Sequence, residues 1–188
     1  MRIISGKFKN KRLFFPKNLK TRPLKDSVRE NIFNILEHSK KINIKIKNSN
    51  ILDLYSGSGS FGLESLSRYA SKVLFVEKDV DALRILKKNI ENLEAQEKIY
   101  LHEGDVMNFI QELNFNKKFD IIFMDPPYSN NTFLQVVKTI KEKNLLNKNY
   151  IIIIHRDKKT SENLNIENLN IVESRIYGRS QIFFGRFF

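Results

Sequence analysis

Apolar residues along this chain fall into short runs, and their spacing switches repeatedly between two periods. From Asn50 onward, five runs read as strands: NILDLY, KVLFVE, KIYLHEGD, FDIIFMD and YIIIIHR. Each is short, rich in Ile, Leu, Val and Phe, and bounded by turn residues. Between them, FGLESLSRYA, DVDALRILKKNIENLE, VMNFIQEL and NTFLQVVKTIKEKNLL read as helices. Strands that alternate with helices predict right-handed crossovers, a mostly parallel sheet and helices on both of its faces. The tail changes style. NIVESRIYG and SQIFFGRFF flank Gly178 with no helix between them. They predict an antiparallel pair that closes one sheet edge.

The chain before Asn50 reads differently. RIISGKFKNKRLFFP has short apolar runs around a Gly/Lys/Asn turn and stops at Pro16, which predicts a basic β-hairpin. DSVRENIFNILEHSKK places Val28, Ile32, Phe33, Ile35 and Leu36 at helical spacing behind Asp26 or Ser27 as the N-cap. It predicts an amphipathic helix docked on the main domain. KINIKIKNSN then reads as a polar connector. The division is a basic extension over residues 1–48 and a main domain over residues 49–188. No repeat or low-complexity segment is visible.

Composition narrows the class. With 188 residues, 41% apolar and 29% charged, the chain suits one globular domain with a small appendage. It has no cysteine, which excludes disulfides and thiolate metal sites. Its three histidines, His38, His102 and His155, show no metal-ligand spacing. No apolar run approaches the ~20 residues of a membrane span. The start, MRIISGKFKN, lacks the apolar region of a signal peptide, so a cytoplasmic protein is expected.

The net charge of +12 is unevenly spread: residues 1–25 hold nine Lys or Arg and no Asp or Glu. Random drift in a Lys-rich chain would not exclude acids locally. The stretch therefore points to a polyanionic partner, most often nucleic acid.

Two motifs carry chemistry. The first is LDLYSGSGSFGLE, in which Asp53 ends a strand and Gly57, Gly59 and Gly62 occupy the turn and helix start. A G-x-G-x-x-G string says little alone. Here it follows the first strand of the alternating domain and opens a helix, the context of nucleotide-binding turns. Glu77 lies at the next strand tip, 20 residues past Gly57, where an acid can take two ribose hydroxyls. Asp105 ends the third strand and can cap the following helix, contact adenine, or do both. Acids at three successive strand tips suit a nucleoside cofactor that lacks phosphates and carries a positive charge. S-adenosylmethionine has that chemistry.

The second motif is DPPY, residues Asp125 to Tyr128, at the fourth strand tip. Pro126 and Pro127 have fixed φ and no N–H, so their carbonyls read as a stiff pair of free acceptors. Tyr128 offers a stacking face for a base. Acceptors around an exocyclic NH₂ can pull its nitrogen toward sp³ and aim its lone pair at a methyl group. A simple strand terminator would explain the prolines but not the acid before them or the aromatic after them. His155, behind the fifth strand, reads as an ordinary strand-end residue with no role.

The glycine turn and DPPY together resemble the class I S-adenosylmethionine-dependent methyltransferases that act on amino nitrogens. More narrowly, RIISGKFKNKRL, TRPLKDSVRENIFNIL, LDLYSGSGSFGLESLSRYA, FMDPPY and IYGRSQIFF resemble the RsmD-type 16S ribosomal RNA guanine-N2 methyltransferases. Ser5 and Asn10 depart from that pattern, where glycine is usual, and the tail after Gly178 is short. The resemblance implies an α/β, Rossmann-like fold with a seven-stranded sheet of order 3-2-1-4-5-7-6, the last strand antiparallel. It implies methylation of guanine N2 in 16S rRNA, within a partly or fully assembled 30S subunit, by a monomer without a metal.

Carried over by motif position, Asp53, Tyr55, Ser56, Gly57, Gly59, Gly62, Glu77, Lys78, Asp105 and Val106 would hold the cofactor, with Asp125 beside it. Asp125, Pro126, Pro127 and Tyr128 would hold the target amine. Lys7, Lys9, Lys11 and Arg12 would meet RNA phosphates. Arg22 and Arg29 would add RNA contacts from a helix start folded over the site, a reading favoured over a surface pair of Arg29 with Asp26. Three other readings stay open at this stage: an adenine-N6 DNA methyltransferase, which can share DPPY; an RNA-binding module with a vestigial core; and a dinucleotide oxidoreductase. The small arm speaks against the first, the intact DPPY against the second, and the acids at the strand tips against the third.

Overall fold

The computed structural model describes residues 1–15, 24–113, 118–127, 132–160 and 169–188. Seven strands form one sheet: β1 (Asn50–Leu54), β2 (Lys72–Glu77), β3 (Ile99–Glu103), β4 (Phe119–Met124), β5 (Leu146–Asp157), β6 (Leu169–Tyr177) and β7 (Ser180–Phe187). Their spatial order is β3-β2-β1-β4-β5-β7-β6, as the resemblance implied. β1 to β5 pair in parallel, and β7 runs antiparallel between β5 and β6.

Among the described residues, five α-helices flank the sheet: α1 (Asp26–His38), α2 (Ser60–Ser67), α3 (Val80–Leu93), α4 (Val106–Glu112) and α5 (Phe133–Glu142). Alternate residues of each strand serve opposite layers. Ile121 and Phe123 of β4 pack with α1, α2 and α3, while Ile122 and Met124 pack with α4 and α5. Both faces are covered, which is why the strands read as unbroken apolar runs.

Helix starts follow local chemistry. Asp79 caps α3 by accepting from the Ala82 N–H at 2.9 Å, and Asp105 caps α4 by accepting from the Met107 N–H at 2.9 Å. α1 departs from expectation. Its N-cap position is Lys25, with no side-chain cap, and Asp26 lies inside the first turn. The Asp26 carboxylate instead accepts from Arg29 at 3.0 Å.

The connector after α1 also departs. Ile42, Ile44 and Ile46 are all buried in the α1–α3 layer, although this stretch belongs to no strand. Its polar residues are the solvent-facing half of an alternating pattern. The expected hairpin is short: Arg2 bridges Arg12, and the N–H groups of Ile3, Asn10 and Leu13 donate to the carbonyls of Lys11 (2.9 Å), Ile3 (2.9 Å) and Met1 (3.1 Å). Its turn is also held by α2. The buried Glu64 carboxylate accepts from the N–H groups of Ile4 (2.7 Å) and Ser5 (3.0 Å). The Ser67 carbonyl accepts from the Lys7 N–H at 2.8 Å. Gly6 sits so close that a Cβ there would lie 1.9 Å from the Ser67 carbonyl oxygen. Asn10 takes a left-handed conformation, φ 69°, which fits a position where glycine is usual. Stacked rings Phe33–Phe61 (5.0 Å) and Phe61–Phe123 (4.1 Å) then tie α1 through α2 to β4.

Candidate active site

The strand order reverses between β1 and β4, so a crevice is expected outside their carboxyl ends. Register brings the tip residues together: Leu54 lies beside Val76 of β2 and Met124 of β4, and Met124 lies beside Ile154 of β5. Asp53, Glu77, Asp125 and His155 therefore gather along one edge of the sheet.

The glycine turn presents backbone N–H groups, and acids receive them. Asp53, almost wholly buried, accepts from the Gly62 N–H at 2.9 Å. Burial pushes its carboxyl well above the usual Asp range; Asp125 and Glu77 add to the rise, while the Gly62 bond opposes it. Glu77 accepts from the N–H groups of Gly57 (2.7 Å), Lys78 (2.8 Å) and Asp79 (2.9 Å). Three of the roughly four acceptor directions of a carboxylate are thus taken by backbone. The expectation that Glu77 is open to two ribose hydroxyls narrows to its Oε2, beside Gly57. Ser56 closes the gap between β1 and β2 by donating to the carbonyls of Asp53 (2.6 Å) and Val76 (3.1 Å).

The three glycines separate by task. A Cβ on Gly59 would lie 2.3 Å from Leu86, and one on Gly62 would lie 2.4 Å from the Phe75 ring. Those two serve close packing. Gly57 has φ 55° and nothing within 4 Å of where a Cβ would be, so its face is open to a ligand. Tyr55 is half-buried beside Asp105. Burial, then the charge of Asp105, pushes its hydroxyl up to about 12. Lys78 does not stand free; its Nζ lies 3.0 Å from Asp105 Oδ2 and holds that carboxyl below the usual range. Val106 is buried at the start of α4.

The second motif is held in the opposite sense. Asp125 follows β4 with its side chain 25% exposed, and its Oδ1 lies 2.8 Å from Nδ1 of the buried His155. The carbonyls of Pro126 and Pro127 are not left free. Arg156, fully buried at the end of β5, donates from Nη1 to both, at 3.3 and 3.2 Å. Its guanidinium also lies over the Phe133 ring at 4.6 Å. A proline-rich segment lacks N–H groups, so it is fastened by donors from its neighbour strand. Tyr128 and Arg22 lie outside the described residues.

His155 and Arg156 are the functional candidates that sequence reading passed over. The signal was present: YIIIIHR, like IIFMD, is a buried run that ends in charged or polar side chains, and the two strands are neighbours. Arg29 needs the reverse correction. It is fully buried, donates to Asp26 and to the Arg2 carbonyl, and lies 3.9 Å from Glu64. So placed, it fastens the N-terminal arm and neither sits on the surface nor reaches a phosphate. Lys7, Lys9, Lys11 and Arg12 are exposed along that arm.

Comparison with known proteins agrees with this architecture. The family model described as "Conserved hypothetical protein 95" matches residues 1–186. Ribosomal RNA small subunit methyltransferase D of Haemophilus influenzae is 33% identical, covering 94% of this chain and 93% of its own. The enzyme of that name from Buchnera aphidicola (Acyrthosiphon pisum) is 33% identical over 85% of this chain and 79% of its own. Among solved structures, the Escherichia coli protein yhhF, described as a methyltransferase, superposes with a TM-score of 0.83 at 26% identity, covering 100% of this chain and 97% of its own. With the family model spanning nearly every residue and the sheet order in agreement, this chain belongs to the conserved hypothetical protein 95 family, that of the RsmD-type methyltransferases.

Proposed function

We propose that this protein transfers a methyl group from S-adenosylmethionine to the exocyclic N2 amine of a guanine in 16S ribosomal RNA. The observation that carries the reading is Asp125, whose Oδ2 is not hydrogen-bonded among the described residues while Oδ1 is held by His155. It stands at the switch point of the sheet, beside a glycine turn with an open face. Relatives named ribosomal RNA small subunit methyltransferase D support the RNA class. Guanine N2 follows from the family resemblance.

The residues present fit the cofactor. Glu77 and Asp105 give the crevice negative charge, which suits a sulfonium, Asp53 braces the turn through the Gly62 N–H, and the open face of Gly57 allows close approach. Glu77 Oε2 would hold the ribose, with Tyr55 and Asp105 beside the base. When bound, S-adenosylmethionine supplies an electrophilic methyl group and takes the electron pair of the broken S–C bond onto sulfur, leaving S-adenosylhomocysteine. The chain's own residues do the rest. Asp125 Oδ2 accepts one N–H of the target amine and so concentrates its lone pair. Remaining lone pairs of the prolyl carbonyls accept the other N–H, since Arg156 occupies one direction of each. The nitrogen gains a bond and positive charge, and Asp125 Oδ2 is the base positioned to hold the proton it releases.

The target guanine must be unpaired or flipped, because its N2 is not accessible to such a crevice within a stacked duplex. The substrate is a partly or fully assembled small subunit, met by a monomer. The exposed Lys7, Lys9, Lys11 and Arg12 contact its phosphates from an arm braced on α2.

The test supplies labelled S-adenosylmethionine with unmodified small subunits, free 16S RNA and duplex DNA in parallel. Label recovered as N2-methylguanine in the subunit RNA supports the reading, and label in DNA as N6-methyladenine overturns it. Replacing Lys7, Lys9 and Lys11 together by Ala should flatten the slope of log affinity against log salt by about 2. Cofactor affinity should not change. An unaltered slope removes the arm from the RNA interface.

A further inference from the structure

The Asp125–His155 contact has no place in the motif that defines the site, yet it is made in a way that bears on the chemistry. We propose that His155 is a positioning residue: it fixes Oδ1 of Asp125 so that Oδ2 is presented to the target amine. The inference rests on the amino-methyltransferase reading and deepens it.

Three observations carry it. First, β4 and β5 are parallel with Met124 beside Ile154, so the next residues, Asp125 and His155, are neighbours by register. Second, His155 is 3% exposed, and its backbone is fixed by antiparallel pairing with Ile182 of β7. A buried side chain on so fixed a backbone can act as a fixed point. Third, His155 Nδ1 and Asp125 Oδ1 lie 2.8 Å apart, within hydrogen-bond distance. In the tautomer the proposal assigns, Nδ1 carries the hydrogen and donates to Oδ1 of the carboxylate.

The carboxylate torsion of an Asp is broad and only two-fold. Without a partner, Asp125 would swing its oxygens through a range of positions at the tip of β4. Misplacement of a reacting group by ~1 Å can cost about 100-fold in rate. An imidazole is also the right kind of partner. It can fix one oxygen while neutral, leaving the negative charge of Asp125 to face the developing positive charge on nitrogen. A lysine or arginine in the same place would cancel that field.

The experiment compares His155→Phe, His155→Asn and His155→Gln with the wild-type protein, using labelled cofactor and unmodified small subunits. Phe keeps the ring shape and removes the donor. Asn places an N–H close to that of Nδ1, and Gln places it one bond further out. The expected result is a kcat lower by about 10–100-fold for His155→Phe, with KM for the cofactor within about twofold. His155→Asn should recover to within about fivefold of wild type, and His155→Gln should not. A purely structural residue would show no such order among variants of equal thermal stability. If His155→Phe does not fold, the Asn–Gln pair decides alone. Wild-type kcat in His155→Phe, equal losses in Asn and Gln, or a loss confined to cofactor KM would each overturn the proposal. A wild-type protein that transfers no methyl sinks the functional reading and this inference with it. An active wild type with an unaffected His155→Phe sinks only the inference.

Discussion

The two loops at the mouth of the sheet are held by opposite chemistry. The turn after β1 is rich in glycine and presents N–H groups, and the carboxylates of Asp53 and Glu77 receive them. The segment after β4 contains two prolines, presents carbonyls without N–H groups, and is fastened by His155 and Arg156. Each loop selects its support by what its backbone leaves unsatisfied. The consequence for function is a division of labour. On the proposed function, Glu77 beneath the glycine turn supplies the negative charge that suits a cationic cofactor. Donors beneath the proline segment engage Oδ1 of Asp125 and, on the proposed function, leave Oδ2 for the target amine. On that reading, the cofactor side and the acceptor side follow the neighbouring strands β1 and β4.

The largest break in this contrast should come from Asp125→Ala. Methyl transfer is expected to fall by about 1,000-fold, while cofactor affinity by calorimetry stays within about threefold. Comparable losses in both would mean that the two sides are one site without division.

Arg156→Met comes next. It keeps the volume and removes the donor to both prolyl carbonyls, leaving the buried Pro126 acceptor unmet. A loss of about 3 kcal/mol in denaturant unfolding is expected, with kcat falling about tenfold at saturating cofactor. Unchanged stability would show that the proline segment needs no fastening.

The glycines sharpen the cofactor side. Gly62→Ala would drive a Cβ into the Phe75 ring and should cost about 3 kcal/mol of stability. Gly57→Ala meets open space and bears only the backbone penalty of its φ of 55°, about 1–2 kcal/mol. It should nonetheless weaken cofactor binding at least tenfold by calorimetry. Full affinity in Gly57→Ala would mean that the open face is not where the cofactor lies.

The smallest expected effect concerns pH. Burial raises the Asp53 carboxyl above its ordinary value of 3.8, so the folded protein holds a proton there that the unfolded chain has lost. Its contribution to stability is complete below the unfolded value and fades as pH rises through the folded one. Asp53→Asn cannot titrate, so its stability should decline less than that of wild type as pH rises from the Asp range. Parallel unfolding curves for the two proteins would contradict this.

Much of the core was legible in the pattern because both faces of the sheet are covered. Helices and strands from Asn50 onward follow from runs whose period changes at each turn. Local motifs carried the glycine turn and DPPY equally well, since backbone freedom at Gly57 and rigidity at Pro126 are properties of the residues themselves. The connector was misread because Ile42, Ile44 and Ile46 alternate with lysines and asparagines. Strand-like spacing identifies what is buried but not whether a neighbour strand exists to pair with it. Arg29 was misread for a related reason. A lone arginine carries no mark of burial, and its place inside the fold depends on Glu64, 35 positions away.

By itself, then, the sequence determined the order of elements, the acids at the strand tips and the conformational character of both loops. These are local properties of residue type and spacing. Only the tertiary structure decided which charges meet. The register of β4 against β5 put His155 beside Asp125 and Arg156 beneath the two prolines. The pairing of β1 with β4 set that assembly next to the glycine turn. Pairings of this kind join residues about 30 to 70 positions apart, a distance over which no local pattern carries information.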